Sequence, residues 1–242
     1  MTSSFATGKH VSCRQCGSPV NPACWSRLNG LCSPCAVKWN AKIGQQNQWE
    51  HASPVELLQL CENIGVGRRF CQKDRPPSYE DTGLRERIAK QPLPKGGLLL
   101  IGPVGSHKTH MAAARTVDAA RRGFSAYLLS WPDFCLRIRE TYAGSSGRSE
   151  RQVVERYAQL DYLCVDDFGI GREDSSESEA TIRLAYQLIN HRYQREVITD
   201  LTCNWTLAEL GIRFDQRIAR RLEEMTTPYV MLLPEVSEDA GH

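Results

Sequence analysis

The stretch GLLLIGPVGSHKTH, residues 97–110, decides how the rest of the chain is read. Leu98 to Ile101 form an apolar run of strand length. Gly102, Pro103, Val104, Gly105 and Ser106 make a turn-forming loop, and His107, Lys108 and Thr109 open an alanine-rich helical stretch that ends at Gly123. The spacing fits GxxxxGK[ST] except that His107 stands where the second glycine belongs. Such a loop turns backbone N–H groups and a helix N-terminus toward a polyphosphate. Lys108 neutralises the β and γ oxygens, and the Thr109 hydroxyl ligates Mg²⁺. Residues 102–109 are therefore the expected ATP contacts. A β-carbon at position 107 is expected to strain or crowd the loop by about 1–3 kcal/mol. A protonated imidazole would instead add a donor to the phosphates, and both outcomes stand open.

Working outward, YLCVDDFG is an apolar strand that ends in paired carboxylates. Asp166 at the strand tip suits Mg²⁺ held through water, and Asp167 can polarise an attacking water. VITDLTCN ends in Asn204, an uncharged amide within reach of a γ-phosphate, or simply the cap of the following WTLAEL helix. FDQRIARRL puts Arg217 and Arg221 four apart on one helical face, either for phosphoryl-transfer chemistry or as part of a solvated basic face with Arg213 and Arg220.

Beyond Lys95, short apolar runs alternate with longer helical patterns, which predicts an α/β core with a parallel sheet of five strands. The expected strands are Leu98–Ile101, Ser125–Ser130, Tyr162–Val165, Val197–Thr202 and Tyr229–Leu233. Helices are expected from Lys108, from near Pro132, and after a Ser176/Glu179 capping box. In the last, Ile182, Ala185, Leu188 and Ile189 recur at helical spacing as core. Ser53, Pro54 and Glu56 mark another helix start. The Gly-, Pro- and charge-rich residues 65–83 read as a connector, with a helical candidate at Leu84 to Ala89.

The front of the chain has a different chemistry. Cys13 and Cys16 form one CxxC, Cys32 and Cys35 another, a spacing that predicts a four-cysteine Zn²⁺ site folding a small module. Cys24 and His10 are rival ligands. Through residue 75 there are nine Lys and Arg against four Asp and Glu, on a chain whose net charge is +2. A basic front end suits nucleic acid or an acidic partner surface, or merely keeps the module in solution. Trp25, Trp39 and Trp49 could stack on single-stranded bases or form the module's own core. With 41% apolar and 24% charged residues the composition is that of a globular protein, not a disordered or fibrous one. No apolar run approaches the roughly 18 residues of a membrane span, and the amino terminus lacks the apolar core of a secretory signal. A cytoplasmic location, with no membrane partner, is expected.

Residues from about Arg68 to Pro234 resemble the AAA+ ATPase core of the DnaC/DnaI-type replicative helicase loaders and their relatives, the IstB-type transposition helper ATPases. The resemblance is carried by GLLLIGPVGSHKTH, LCVDDFG, INHRY at 189–193, the Asn204 strand end and RIARRL at 217–222. It implies that Lys108 and Thr109 are Walker A residues, Asp166 and Asp167 Walker B, Asn204 sensor 1, Arg217 the arginine finger and Arg221 sensor 2. It also implies a core without a C-terminal lid, self-association when nucleotide is bound, and single-stranded DNA and a replicative helicase as partners. The front module resembles the zinc-binding domain of DnaI-type loaders. The expected layout is a zinc module over residues 1–48, a helix and connector over 49–92, and an ATPase core over 93–236. The alternatives are a transposase-assisting ATPase and, because of His107, a non-hydrolysing zinc-bearing adaptor or inhibitor.

Overall fold

The computed structural model describes residues 11–20, 31–71, 75–78, 97–143, 147–169, 177–226 and 230–232. His10, Cys24, Trp25, Ser176 and the helical candidate at Leu84 to Ala89 lie outside them. The chain divides into two compact units, Met1–His51 and Ala52–His242.

In the first unit, strands β1 (Val11–Ser12) and β2 (Pro19–Val20) pair antiparallel around the first CxxC. Gly17 takes φ +73° there, a conformation that suits glycine. The chain later enters helix α1 (Ser33–His51), which starts within the second CxxC. Among the described residues, Cys13, Leu31 and Ala36 make a small buried cluster, with Cys32 and Cys35 packed on it. So small an apolar core needs a further constraint to hold its shape. Trp49 is buried and Trp39 is half exposed, so one of these two rings serves packing and the other faces solvent.

The second unit opens with α2 (Pro54–Asn63), where the capping box of Ser53 and Glu56 forms as the sequence predicts. A 3-10 turn at Arg68–Phe70 comes next. The core then runs β3 (Leu99–Ile101), α3 (Lys108–Arg121), β4 (Ala126–Ser130), α4 (Trp131–Tyr142), α5 (Glu150–Ala158), β5 (Tyr162–Asp166), α6 (Glu179–Gln194), β6 (Ile198–Cys203), α7 (Leu207–Arg213), α8 (Gln216–Thr226) and β7 (Val230–Leu232). All strand pairs of the core sheet are parallel, in the order β4-β5-β6-β3-β7. The five strands fall within a residue of the expected ones. One helix start differs. Ser178, not Ser176, caps α6: it sits in extended backbone directly before Glu179 and accepts from the Thr181 amide, which puts Glu179 at the first helical position.

Two buried polar knots join these layers. Asp200 on β6 accepts from Arg115 of α3, from the Tyr162 hydroxyl at 2.6 Å and from the Leu98 amide at 2.7 Å, so a fully desolvated carboxylate is satisfied on every side. Arg192 on α6 is wholly buried, and among the described residues its hydrogen bonds go to no carboxylate. Its guanidinium donates to the carbonyls of Tyr157, Leu160 and Ile198 and to the Thr199 hydroxyl, and so satisfies the open C-terminal carbonyls of α5. Burial, with Arg195 close by, brings Arg192 down to about 9, still cationic at neutral pH.

Candidate nucleotide site

Strand β3 delivers the chain into the loop of residues 102–107, and α3 begins at Lys108. His107 occupies the left-handed region at φ 60° and ψ 20°, the conformation a glycine adopts freely and that costs a residue with a β-carbon about 1–3 kcal/mol. Histidine is among the side chains that tolerate this region better than most. The residue is exposed, so the expected strain is in its backbone and there is no crowding among the described residues. Gly105 is also left-handed, at φ +85°. The loop thus takes a glycine-like path without the glycine.

Lys108 is buried, and its Nζ donates to the carbonyls of Gly102 and Pro103, each at 2.6 Å, and to Ser106 Oγ at 3.3 Å. Burial lowers its pKa, while Asp167, Cys203 and Asp166 work in the opposite direction. These loop carbonyls are weak partners for an ammonium, and phosphate oxygens would displace them readily.

The paired acids sit where β5 ends. Asp166 is buried, and its Oδ1 accepts from Thr202 Oγ1 of β6 at 2.6 Å. The same hydroxyl accepts from the Asp167 amide at 3.0 Å, and the Thr202 carbonyl accepts from the Phe168 amide at 2.9 Å. Burial pushes the Asp166 carboxyl up to about 6. The hydroxyls of Thr202 and Thr109 and the charge of Arg69 pull it down, and neighbouring Asp167 adds to the rise. Asp167 is left-handed at φ 56°. That turn is rigid because Phe168 stacks on Phe214 with centroids 4.7 Å apart, and Gly169 lies so close that an added β-carbon would stand 2.8 Å from the Phe214 ring. Thr202 is a site residue that sequence reasoning missed, since it looks like any strand residue.

Thr109, Asp166 and Asp167 line a cleft of about 400 Å³ with Ser130, Arg69 and Phe70. A hydroxyl and two carboxylates beside the lysine loop form an oxygen-rich donor set of the kind that could hold Mg²⁺. Asn204 is exposed directly after Cys203, whose carbonyl accepts from the Gly102 amide at 3.3 Å, so the amide side chain belongs to a residue flanking the loop. Arg217 and Arg221 lie elsewhere. Arg217 is bound bidentately to Asp215 at 2.9 and 3.0 Å, and Arg221 donates to the Tyr186 hydroxyl at 3.0 Å with its guanidinium 4.5 Å from that ring. Both flank one aromatic residue of α6.

In the first unit, the sulfurs of Cys13, Cys16, Cys32 and Cys35 all lie within 4.8 Å of one another, with Cys16 and Cys32 at 3.7 Å. A tetrahedron with Zn–S bonds of about 2.3 Å has edges of about 3.8 Å, so the cluster fits that ion. Burial disfavours the Cys13 thiolate, but the amides of Cys32, Cys16 and Gln15 outweigh it and bring the thiol down to about 6. Cys35 is pushed up to about 12, first by Cys32 and then by burial and the remaining thiols. Four such sulfurs ionise together only around a cation.

A parallel sheet in this order, a lysine-bearing loop before a helix and paired acids on the next strand but one define an α/β fold resembling AAA+ P-loop domains. Residues 94–223 match the IstB-like ATP binding protein family, and the chain belongs to it. An IS5376 insertion-sequence ATP-binding protein of Geobacillus stearothermophilus is 26% identical over 209 residues, covering 84% of this chain and 80% of that one. The replicative helicase loader DnaC of Escherichia coli K12 is 25% identical over 121 residues, which are 50% of this chain and 47% of the loader. The structure of DnaI superposes with a TM-score of 0.52 at 16% identity, covering 75% of this chain and 99% of DnaI. That of the DnaC helicase loader gives 0.50 at 21%, covering 62% and 85%. These two likenesses concern the fold alone. Among the described residues no helix is long and apolar enough to cross a membrane.

Proposed function

We propose that this ATP-binding protein is an accessory factor of DNA replication that binds a replicative helicase and loads it onto single-stranded DNA under control of ATP. The supporting observation is the lysine loop set beside the Asp166–Asp167 turn. Lys108 exchanges its loop carbonyls for β and γ oxygens, Thr109 and Asp166 hold Mg²⁺, Asp167 orients the attacking water, and Asn204 reads the γ-phosphate. Mg²⁺ held there would supply charge neutralisation to the phosphate oxygens. Arg217, 71% exposed and held by Asp215, is available to a second copy as its arginine finger, and Arg221 is assigned as sensor 2. The zinc-fitting module ahead of the core favours the loader reading. Pull-down of the replicative helicase with and without ATP tests it, and absence of a complex in both conditions refutes it.

Two other readings have an observation each. The IS5376 relative, which matches 84% of the chain, favours an ATPase that assists a transposase. The left-handed His107 favours a non-hydrolysing adaptor. Hydrolysis that disappears in Lys108→Ala would reject the adaptor, and a complex with a transposase in place of a helicase would select the first.

A further inference from the structure

The segment ahead of the core is docked onto it. Gly65 has φ +81°, and a β-carbon there would stand 2.2 Å from the Leu128 carbonyl oxygen and 3.0 Å from the Tyr127 ring. The Leu128 amide donates to the Ile64 carbonyl at 2.8 Å, and Val66 is fully buried. Residues 64–66 therefore clip to the free edge of β4, a place that accepts backbone but no side chain at Gly65. The clip also fixes the 3-10 turn just beyond it. Phe70 meets His110 edge-on at 6.1 Å, one residue beyond Thr109, and the Arg69 guanidinium lies 4.6 Å from the centre of the Phe70 ring. Arg69 thereby lines the same cleft as Thr109, Asp166 and Asp167.

We propose that Arg69 is a phosphate-binding and specificity-determining residue that reaches the γ-phosphate of a nucleotide held by the Lys108 loop, from within the same chain, and makes the site prefer triphosphate over diphosphate. This rests on the nucleotide-binding reading above. The cleft is walled by the docked segment, and its volume of about 400 Å³ accommodates a phosphoryl group with its water. The other arginine lining the cleft, Arg137, donates to the Tyr157 hydroxyl at 2.9 Å and is committed to the α4–α5 contact. Arg68 pairs instead with Glu62. Of two adjacent arginines, only one is aimed at the site.

Isothermal titration of the full chain with Mg²⁺ plus ATPγS, and separately with Mg²⁺ plus ADP, tests this in wild type, Arg69→Ala, Arg69→Lys and Arg68→Ala. Arg69→Ala is expected to weaken ATPγS roughly ten- to hundredfold, the range for losing a hydrogen bond to a charged group, with ADP unchanged within about twofold. Arg69→Lys should recover part of the loss, and Arg68→Ala should change neither affinity. Equal losses for both nucleotides, no loss for either, or an equal effect of Arg68→Ala would overturn the role of Arg69 while leaving the nucleotide site standing. A wild type that binds neither nucleotide would overturn the site and this role together. Thermal unfolding of Arg69→Ala at the wild-type midpoint would show that the loss is not one of folding, since the side chain is exposed.

Discussion

Thr202 donates its hydroxyl to Asp166 Oδ1 at 2.6 Å, so a residue of one strand sets the orientation of a carboxylate on its neighbour. Its lone pairs also take the Asp167 amide, which makes one side chain responsible for both acids of the turn. Thr202→Val keeps the shape, leaves Asp166 short of a donor and leaves the Asp167 amide without its acceptor. A loss of about 1–3 kcal/mol in chemical denaturation is expected, together with weaker Mg²⁺-dependent nucleotide binding. Unchanged stability would mean that water replaces the hydroxyl there.

Asp166 titrates near 6, above its unfolded value of 3.8. A carboxyl whose folded pKa is raised contributes stability that is complete below the unfolded pKa and is lost as pH rises through the folded one. The unliganded protein should therefore lose stability between about pH 4 and 6. Asp166→Asn, which stays neutral, should be more stable than wild type at pH 7.5 by about 1–3 kcal/mol and lack this slope. Mg²⁺ binding needs the ionised form and should weaken in wild type below pH 6. Parallel denaturation curves at pH 4.5, 6 and 7.5 decide the matter.

Position 107 carries a glycine's backbone on a histidine. His107→Gly removes the left-handed cost and adds chain entropy to the unfolded state, and a net gain of about 0.5–1 kcal/mol is expected. Nucleotide affinity should rise or hold, because the loop path is already correct. Steady-state hydrolysis separates the readings: the adaptor predicts turnover appearing only in the glycine variant, whereas a working ATPase shows it in both.

The four-sulfur cluster should hold about one zinc per chain, measured by elemental analysis of purified protein. Cys13→Ser is expected to release it and to unfold the first unit, where Cys13 packs with Leu31 and Ala36. A chelator should do the same to wild type, while the α/β unit keeps its circular dichroism.

The strands could be read from the sequence because each is a short apolar run, and β3, β5 and β6 are buried along their whole length. The lysine loop, the paired acids and the cysteine pairs could be read because their chemistry is local in the chain. Helix α1 was hidden: Val37, Trp39 and Ile43 lie exposed along it, so it carries no sustained apolar stripe. Thr202 and Arg69 were hidden for another reason. Thr202 bonds Asp166 and Arg69 lines the same cleft from distant parts of the chain, and no spacing rule reports a meeting of residues separated by 36 positions or more. The helical face of Arg217 and Arg221 was visible, but not the ring of Tyr186 that it flanks.

Arg192 belongs to the INHRY stretch, residues 189–193, on which part of the sequence resemblance rests, yet its donors are spent on main-chain oxygens and a threonine at the α5 end of the scaffold. Those letters vouch for how a helix end is sealed against the sheet and are silent on turnover. A descendant that had abandoned phosphate chemistry altogether would still need that arginine to stand up, so counting it among matching positions adds nothing to the case for activity.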